Sequence, residues 1–141
     1  MTISAKLVDV DELKARLLRL AGPDAFMAIK AANQKNAQEF ASTVARVIPR
    51  GDERAGHLVD TLRQSDYGDL GAQVEIGGAG IGYPYPAHLE WGHRNKDGSH
   101  TPGKPFWFPA KVVIAKRARL RVLRAQRALV KSIAATGATE G

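Results

Sequence analysis

The spacing of apolar residues changes period twice along this chain, and that change decides its fold class. Val10, Leu13, Leu17 and Leu20 recur at helical spacing, with Lys14, Arg16 and Arg19 off the stripe. Asp9 and Glu12 stand three residues apart as a capping box, which predicts a helix over residues 9–20 after a short extended arm. Gly22-Pro23 ends it, because glycine suits a left-handed cap and proline cannot continue the hydrogen-bond ladder. Pro23 also suits the first turn of a second helix, whose buried face is marked by Phe26, Ile29, Phe40, Val44 and Val47. Pro49-Arg50-Gly51-Asp52 breaks the pattern, and Leu58 and Leu62 predict a third, shorter helix over residues 54–64.

Residues 72–76 then alternate like a half-buried strand between Gly71 and Gly77. The glycine-rich run 77–82 reads as a turn or a bulged strand edge, and Tyr83-Pro84-Tyr85-Pro86 is too proline-rich for a central strand. Residues 87–92 fit one helical turn, and the polar stretch 94–104 reads as a mobile loop. Pro109 is expected to open a final helix reaching about Ala135. Val112, Val122, Leu123, Leu129, Val130 and Ile133 share one of its faces, Arg117, Arg121, Arg124 and Lys131 another, and Arg119 falls on the apolar side. The expectation is one α+β domain over residues 1–141: N-terminal helices, a small antiparallel sheet region, a long C-terminal helix and a frayed tail at 136–141.

Charge narrows the function classes. The chain carries a net charge of +7, and residues 104–139 hold nine Lys or Arg and no acid, so everything else sums to −2. A basic segment of this kind fits either a solvated helix face or a contact with phosphates or an acidic subunit, with Phe106 or Trp107 nearby to stack on bases. No cysteine is present, which removes disulfides, thiol catalysis and thiolate zinc sites. No apolar run approaches the roughly 20 residues that cross a bilayer, and the N-terminus lacks a signal pattern, so the expectation is a soluble intracellular product.

No residue pattern points to catalysis or to a cofactor. His88, Glu90 and His93 lie close together but lack the His-Glu-x-x-His spacing, and Gly92 interrupts the helix that would align both imidazoles, so exposed histidines and no metal are expected. The glycine run has neither a complete Gly-x-Gly-x-x-Gly nor a following Lys-Ser/Thr, and no Gly-x-Ser-x-Gly elbow occurs. Glu90 has no second acid or base at a placeable spacing and reads as architectural, accepting backbone amides or pairing with an arginine.

Two blocks are more specific. Residues 85–93, Tyr85-Pro86-Ala87-His88-Leu89-Glu90-Trp91-Gly92-His93, precede Pro105-Phe106-Trp107-Phe108-Pro109-Ala110. Together they resemble the signature of the tail-component family of phage Hong Kong ninety-seven, found in long-tailed phages, prophages and gene transfer agents. That signature is Tyr-Ala-x-x-Val-Glu-Phe-Gly-Thr, a variable loop, then Pro-Phe-Leu-x-Pro-Ala opening a long helix. Looser matches precede them in order at Pro49, residues 56–62 and residues 74–77. The chain differs from the signature at Pro86, Trp91, His93 and Trp107-Phe108. The resemblance spans about residues 23–135, leaving 1–22 outside the family's common part.

The resemblance implies a non-enzymatic virion protein of the neck or tail, assembled in the bacterial host cytoplasm. Such a subunit joins head to tail or completes the tail, as a homo-oligomeric ring between head-connector and tail-tube neighbours. It implies Tyr85, Glu90, Trp91, Gly92, Pro105, Phe106 and Pro109 as the structural motif. Arg117, Arg121, Arg124 and Lys131 are candidates to meet DNA in the channel or a neighbouring subunit. The alternative is a small basic protein that binds nucleic acid without reading sequence through its C-terminal helix.

Overall fold

A computed structural model describes residues 10–49, 58–77 and 85–139. The chain is α+β: three helices and two small antiparallel sheets, in the order α1 (Val10–Val47), a 3-10 turn (Leu58–Thr61), β1 (Arg63–Tyr67), β2 (Gly71–Glu75), α2 (Tyr85–Trp91), β3 (Gly92–Arg94), β4 (His100–Pro102) and α3 (Trp107–Thr139). The cap at Asp9, residues 54–57 of the expected third helix and the glycine run at 78–82 lie outside the described residues.

The expected break at Gly22-Pro23 is present inside α1. Gly22 adopts φ 73° and ψ 169°, a combination open essentially to glycine alone, so the span is two helical segments meeting at a kink. Beyond the kink, Phe26, Ala32, Ala37 and Val44 are buried against the rest of the molecule. Val47 is half exposed, contrary to expectation, because the helix ends there and Ile48 turns inward in its place, its amide still bonded to the Val44 carbonyl at 2.8 Å.

α1 and α3 pack antiparallel: Phe40 meets Trp107 edge-on with centroids 4.7 Å apart, while Asn36, earlier in α1, bonds the Ala118 carbonyl at 3.1 Å. α3 starts two residues before Pro109 and reaches Thr139, within the stretch expected to fray. Its buried line is Ala110, Ile114 and Leu129, with Ala118, Arg121 and Ala125 half-buried between them. Val112 and Val130 are therefore exposed rather than on the inner face, Val122, Leu123 and Ile133 are half-buried, and Arg119 is exposed.

In the described part of the expected third helix, Leu58–Thr61 form a 3-10 turn and not an α-helix. Thr61 Oγ1 donates to the Leu58 carbonyl at 2.7 Å and accepts the Gly77 amide at 2.9 Å, which closes the turn and ties it to the end of β2. Arg63 already belongs to β1, whose residues Arg-Gln-Ser-Asp-Tyr are all exposed. β1 pairs with β2 in the register Arg63↔Glu75 to Tyr67↔Gly71. Polar side chains fasten this hairpin to α1: Asn33 donates to the Leu70 carbonyl at 2.7 Å, Gln34 to Asp66 at 2.9 Å, and Gln64 to the Gln34 carbonyl at 3.1 Å.

The stretch expected to be a mobile loop is a second hairpin. β3 and β4 pair from Gly92↔Pro102 to Arg94↔His100, and Asn95 and Ser99 close the end, the Asn95 amide donating to the Ser99 carbonyl at 2.8 Å. Asp97 accepts both the Ser99 hydroxyl and its amide, which holds its carboxyl below its ordinary value.

The core sits where the C-terminal end of α1, the 3-10 turn and the start of α3 converge: Val44, Ile48, Leu58, Phe106 and Ala110, flanked by Phe40, Leu62, Ile76, Leu89 and Trp107. Phe106 is 1% exposed. Phe106→Ala is expected to lower stability by about 3–5 kcal/mol in a urea titration, the usual range for a buried aromatic. Trp91→Ala, at an exposed position, is expected to change it by less than about 1 kcal/mol.

Candidate functional site

Glu90 stands at the end of α2, one residue before the chain reverses into β3, and is the buried charged group among the described residues. Its Oε2 accepts the amides of Phe106 at 2.8 Å and Trp107 at 2.9 Å, and its Oε1 accepts that of Phe108 at 3.2 Å. Of the two partners the sequence allowed, amides or an arginine, the structure contains the amides. These are the donors that a helix start leaves unpaired. Pro109 contributes no N–H, and the Ala110 amide already reaches the Phe106 carbonyl at 3.3 Å, so the first turn of α3 leaves no amide unanswered. A carboxylate against a helix N-terminus also meets the positive end of its dipole.

Glycine makes this approach possible. Gly92 lies at φ 81°, and a Cβ there would stand 2.5 Å from the Thr101 carbonyl oxygen. A Cβ on Gly103 would stand 2.5 Å from the Glu90 carbonyl oxygen and 2.7 Å from the Gly92 nitrogen. The β3–β4 hairpin thus folds flush against the end of α2, and the Lys104 amide closes onto the Leu89 carbonyl at 2.7 Å. That closure delivers residues 105–108 to the Glu90 carboxylate. Pro105 and Pro109 lie exposed on either side, Phe106 points into the core, and Tyr85 opens α2.

Phe108 and Trp91 face outward. Their rings are 5.2 Å apart at 48°, and Trp91 is 66% exposed. His88 and His93 stack at 4.6 Å and 17°, half-buried rather than solvent-exposed as expected, because α2 and β3 lay one ring over the other. The buried His93 Nδ1 has no hydrogen-bond partner. Glu90 is committed to α3 and does not join them. Among the described residues, no group of three or more His, Asp or Glu is placed to hold a metal ion, and no helix is long and apolar enough to cross a membrane.

The four candidate cations of α3 share one side of the helix but are not all free for a partner. Arg121 turns toward α1, bonding the Asn36 side-chain oxygen and Glu39 Oε2, the latter at 2.8 Å. Arg117 reaches Glu39 Oε1 at 2.8 Å from a more exposed position. Arg124 and Lys131 are exposed, and so is Arg127, which the sequence reading did not single out. Glu39 was missed as well: its position in α1 is an unremarkable polar one, and its role arises only from helix pairing.

No family model matches this chain, and neither a curated protein nor a solved structure matches it.

Two outcomes are expected. Replacing Glu90 by Gln removes the charge and turns one accepting oxygen into a donor facing amides, so stability is expected to fall by about 2–3 kcal/mol in a urea titration. Glu90→Ala is expected to fall further and to loosen the start of α3, read as faster amide hydrogen exchange at Trp107 and Phe108.

The second outcome concerns acid. The Arg121 hydrogen bond holds the Glu39 carboxyl below its ordinary value; partial burial opposes this, and the Arg117 and Arg121 charges add to it. A carboxylate with a lowered folded-state pKa contributes stability that is complete above the unfolded value, about 4.3, and lost as pH falls through the lower folded value. Glu39→Gln is therefore expected to lower the melting temperature at neutral pH, by the equivalent of about 1 kcal/mol for such partly exposed pairs. The gap to wild type is expected to close as the pH is taken below the ordinary glutamate range.

Proposed function

We propose that this chain is a non-enzymatic virion structural protein, a subunit that joins head to tail or completes the tail and assembles as a ring between the head connector and the tail tube. The observation that carries the reading is the bond between its two signature-like blocks. Glu90 of the first accepts the three amides that open the second, so segments separated in sequence act as one corner. A carboxylate bound this way is occupied in building the corner and is poorly placed to act as an acid or base. The same corner carries exposed aromatics, Trp91 and Phe108, at the root of a long basic helix, which suits a protein that works through contacts.

A second reading has its own observation. Arg124, Arg127 and Lys131 lie exposed along α3, within a stretch that has no acid to offset them. Such a row can track a phosphate backbone without reading bases, either on its own account or against DNA in a channel.

Mass spectrometry of purified particles and of the isolated chain tests the first reading. Its presence in particles, with a closed ring in images or native spectra, is the expected result. A stable monomer that is absent from particles would overturn it.

Arg124→Gln, Arg127→Gln and Lys131→Gln together are expected to fold normally, each exposed change being worth less than about 0.5 kcal/mol. If these residues meet DNA, affinity falls alike for all sequences and the salt slope drops by up to roughly three. An unchanged slope would remove the second reading.

A further inference from the structure

The outer side of α3 begins with an apolar corner followed by cations. Phe108 is 47% exposed against Trp91, Val112 one turn later is 76% exposed, and Lys116 and Arg119 continue the same face, also exposed. Complete burial of an aromatic removes on the order of 150–250 Å² from water, and Phe108 and Trp91, 47% and 66% exposed, have roughly half to two-thirds of that left to offer a partner. Because residues 104–139 carry no acid, whatever covers this corner must bring apolar contact together with negative charge.

The chain itself carries a surface of that chemistry. The β1–β2 hairpin presents Tyr67, 68% exposed, at its tip, beside Asp69 and Asp66, the latter also meeting Lys30 at 3.1 Å; Asp60 and Glu75 lie exposed toward its base and outnumber Arg63 there. Every residue of β1 is exposed. The hairpin tip is held beside Asn33, whereas the Trp91–Phe108 corner is built on the core around Val44. Eleven helical residues of α1 separate those two anchors, roughly 16 Å at 1.5 Å per residue. The fastenings of the hairpin to α1 keep the two surfaces apart within one chain.

We propose that they meet between copies: the Tyr67 hairpin tip of one chain seats on the Trp91–Phe108–Val112 corner of the next, head to tail. The two patches differ, so the contact is heterologous and repeats around a closed ring where the rotation permits. This inference rests on the ring-forming reading above and names its surfaces. A few aromatics and their flanking charges make a small contact, toward the weak end of specific interfaces. It therefore forms at high concentration or when the ring closes.

The absence of native cysteine permits a direct test. Ser65→Cys and Ala115→Cys variants, exposed positions beside the contact residues rather than among them, are mixed at high concentration under mild oxidation. The expected product joins the two different variants, exceeding either like-with-like product by roughly tenfold, as an imposed proximity should. Val112→Glu, at a position 76% exposed, in the Ala115→Cys chain is expected to abolish that product with the melting temperature unchanged, and Lys131→Cys in place of Ala115→Cys should give only background.

Like-with-like product in equal or greater amount would overturn the head-to-tail pairing, and so would no product above background. Rings in native spectra without the mixed product would overturn these surfaces and leave the ring reading standing. Absence from particles would overturn the ring reading whatever the cross-link shows.

Discussion

One carboxylate organises the end of this molecule where the core lies. Glu90 arrives from α2 and ends on three amides of α3, so the direction in which the 33-residue helix leaves the core is fixed by a side chain sixteen residues upstream. Hydrogen bonds to an ionised group are roughly twice as strong as neutral ones, and unmaking them here would strand both a buried charge and a row of helix-start donors. Around that bond, Gly92 and Gly103 permit the backbones to touch, and Phe106 is pressed into the core beside Val44 and Leu58. Removing any of these displaces the same helix start.

A second polar joint serves the far side of the core. α3 brings cations and no acid, so its packing on α1 depends on what α1 offers. Glu39 receives Arg117 on one oxygen and Arg121 on the other, and Asn36 receives Arg121 as well as bonding the Ala118 carbonyl. Partly exposed ion pairs are individually weak. Their use here is geometric, because an asymmetric pair of polar anchors fixes the sliding register of two helices whose buried contacts include small residues such as Ala32, Ala37 and Ala110.

Legibility in the sequence followed how local each determinant is. The kink at Gly22-Pro23, the strand over residues 72–76 and the long last helix were readable because glycine, proline and apolar period act within a few residues. β1 was not, since Arg-Gln-Ser-Asp-Tyr has no alternation; its pairing with β2 and its bonds to Gln34 and Lys30 supply what its own composition lacks. Leu58 and Leu62, four apart, mimicked a helix while answering to a 3-10 turn closed by Thr61. The β3–β4 hairpin did carry a signal, Asp97-Gly98 after Asn95, but its strands of three residues are too short to show a period. Glu90 was legible as an architectural carboxylate, and only folding decided amides over arginine. Arg121 looked like a surface cation until Asn36 and Glu39 placed acceptors beneath it.

The proportions of the molecule carry the last step. α3 is roughly 50 Å long at 1.5 Å per residue, yet the large buried side chains cluster around its first turns. Farther along, Ile114 and Leu129 are buried and Val122, Leu123 and Ile133 half-buried, while Val112, Val113, Leu120 and Val130 stay exposed. A helix this long with one well-anchored end and an outer face of alternating valine, leucine and cation gains little by folding alone. Its outer face has apolar area still to bury and positive charge still to balance. In the proposed ring a neighbouring copy would supply both, with the Glu90 corner setting the angle at which the helix is presented to it.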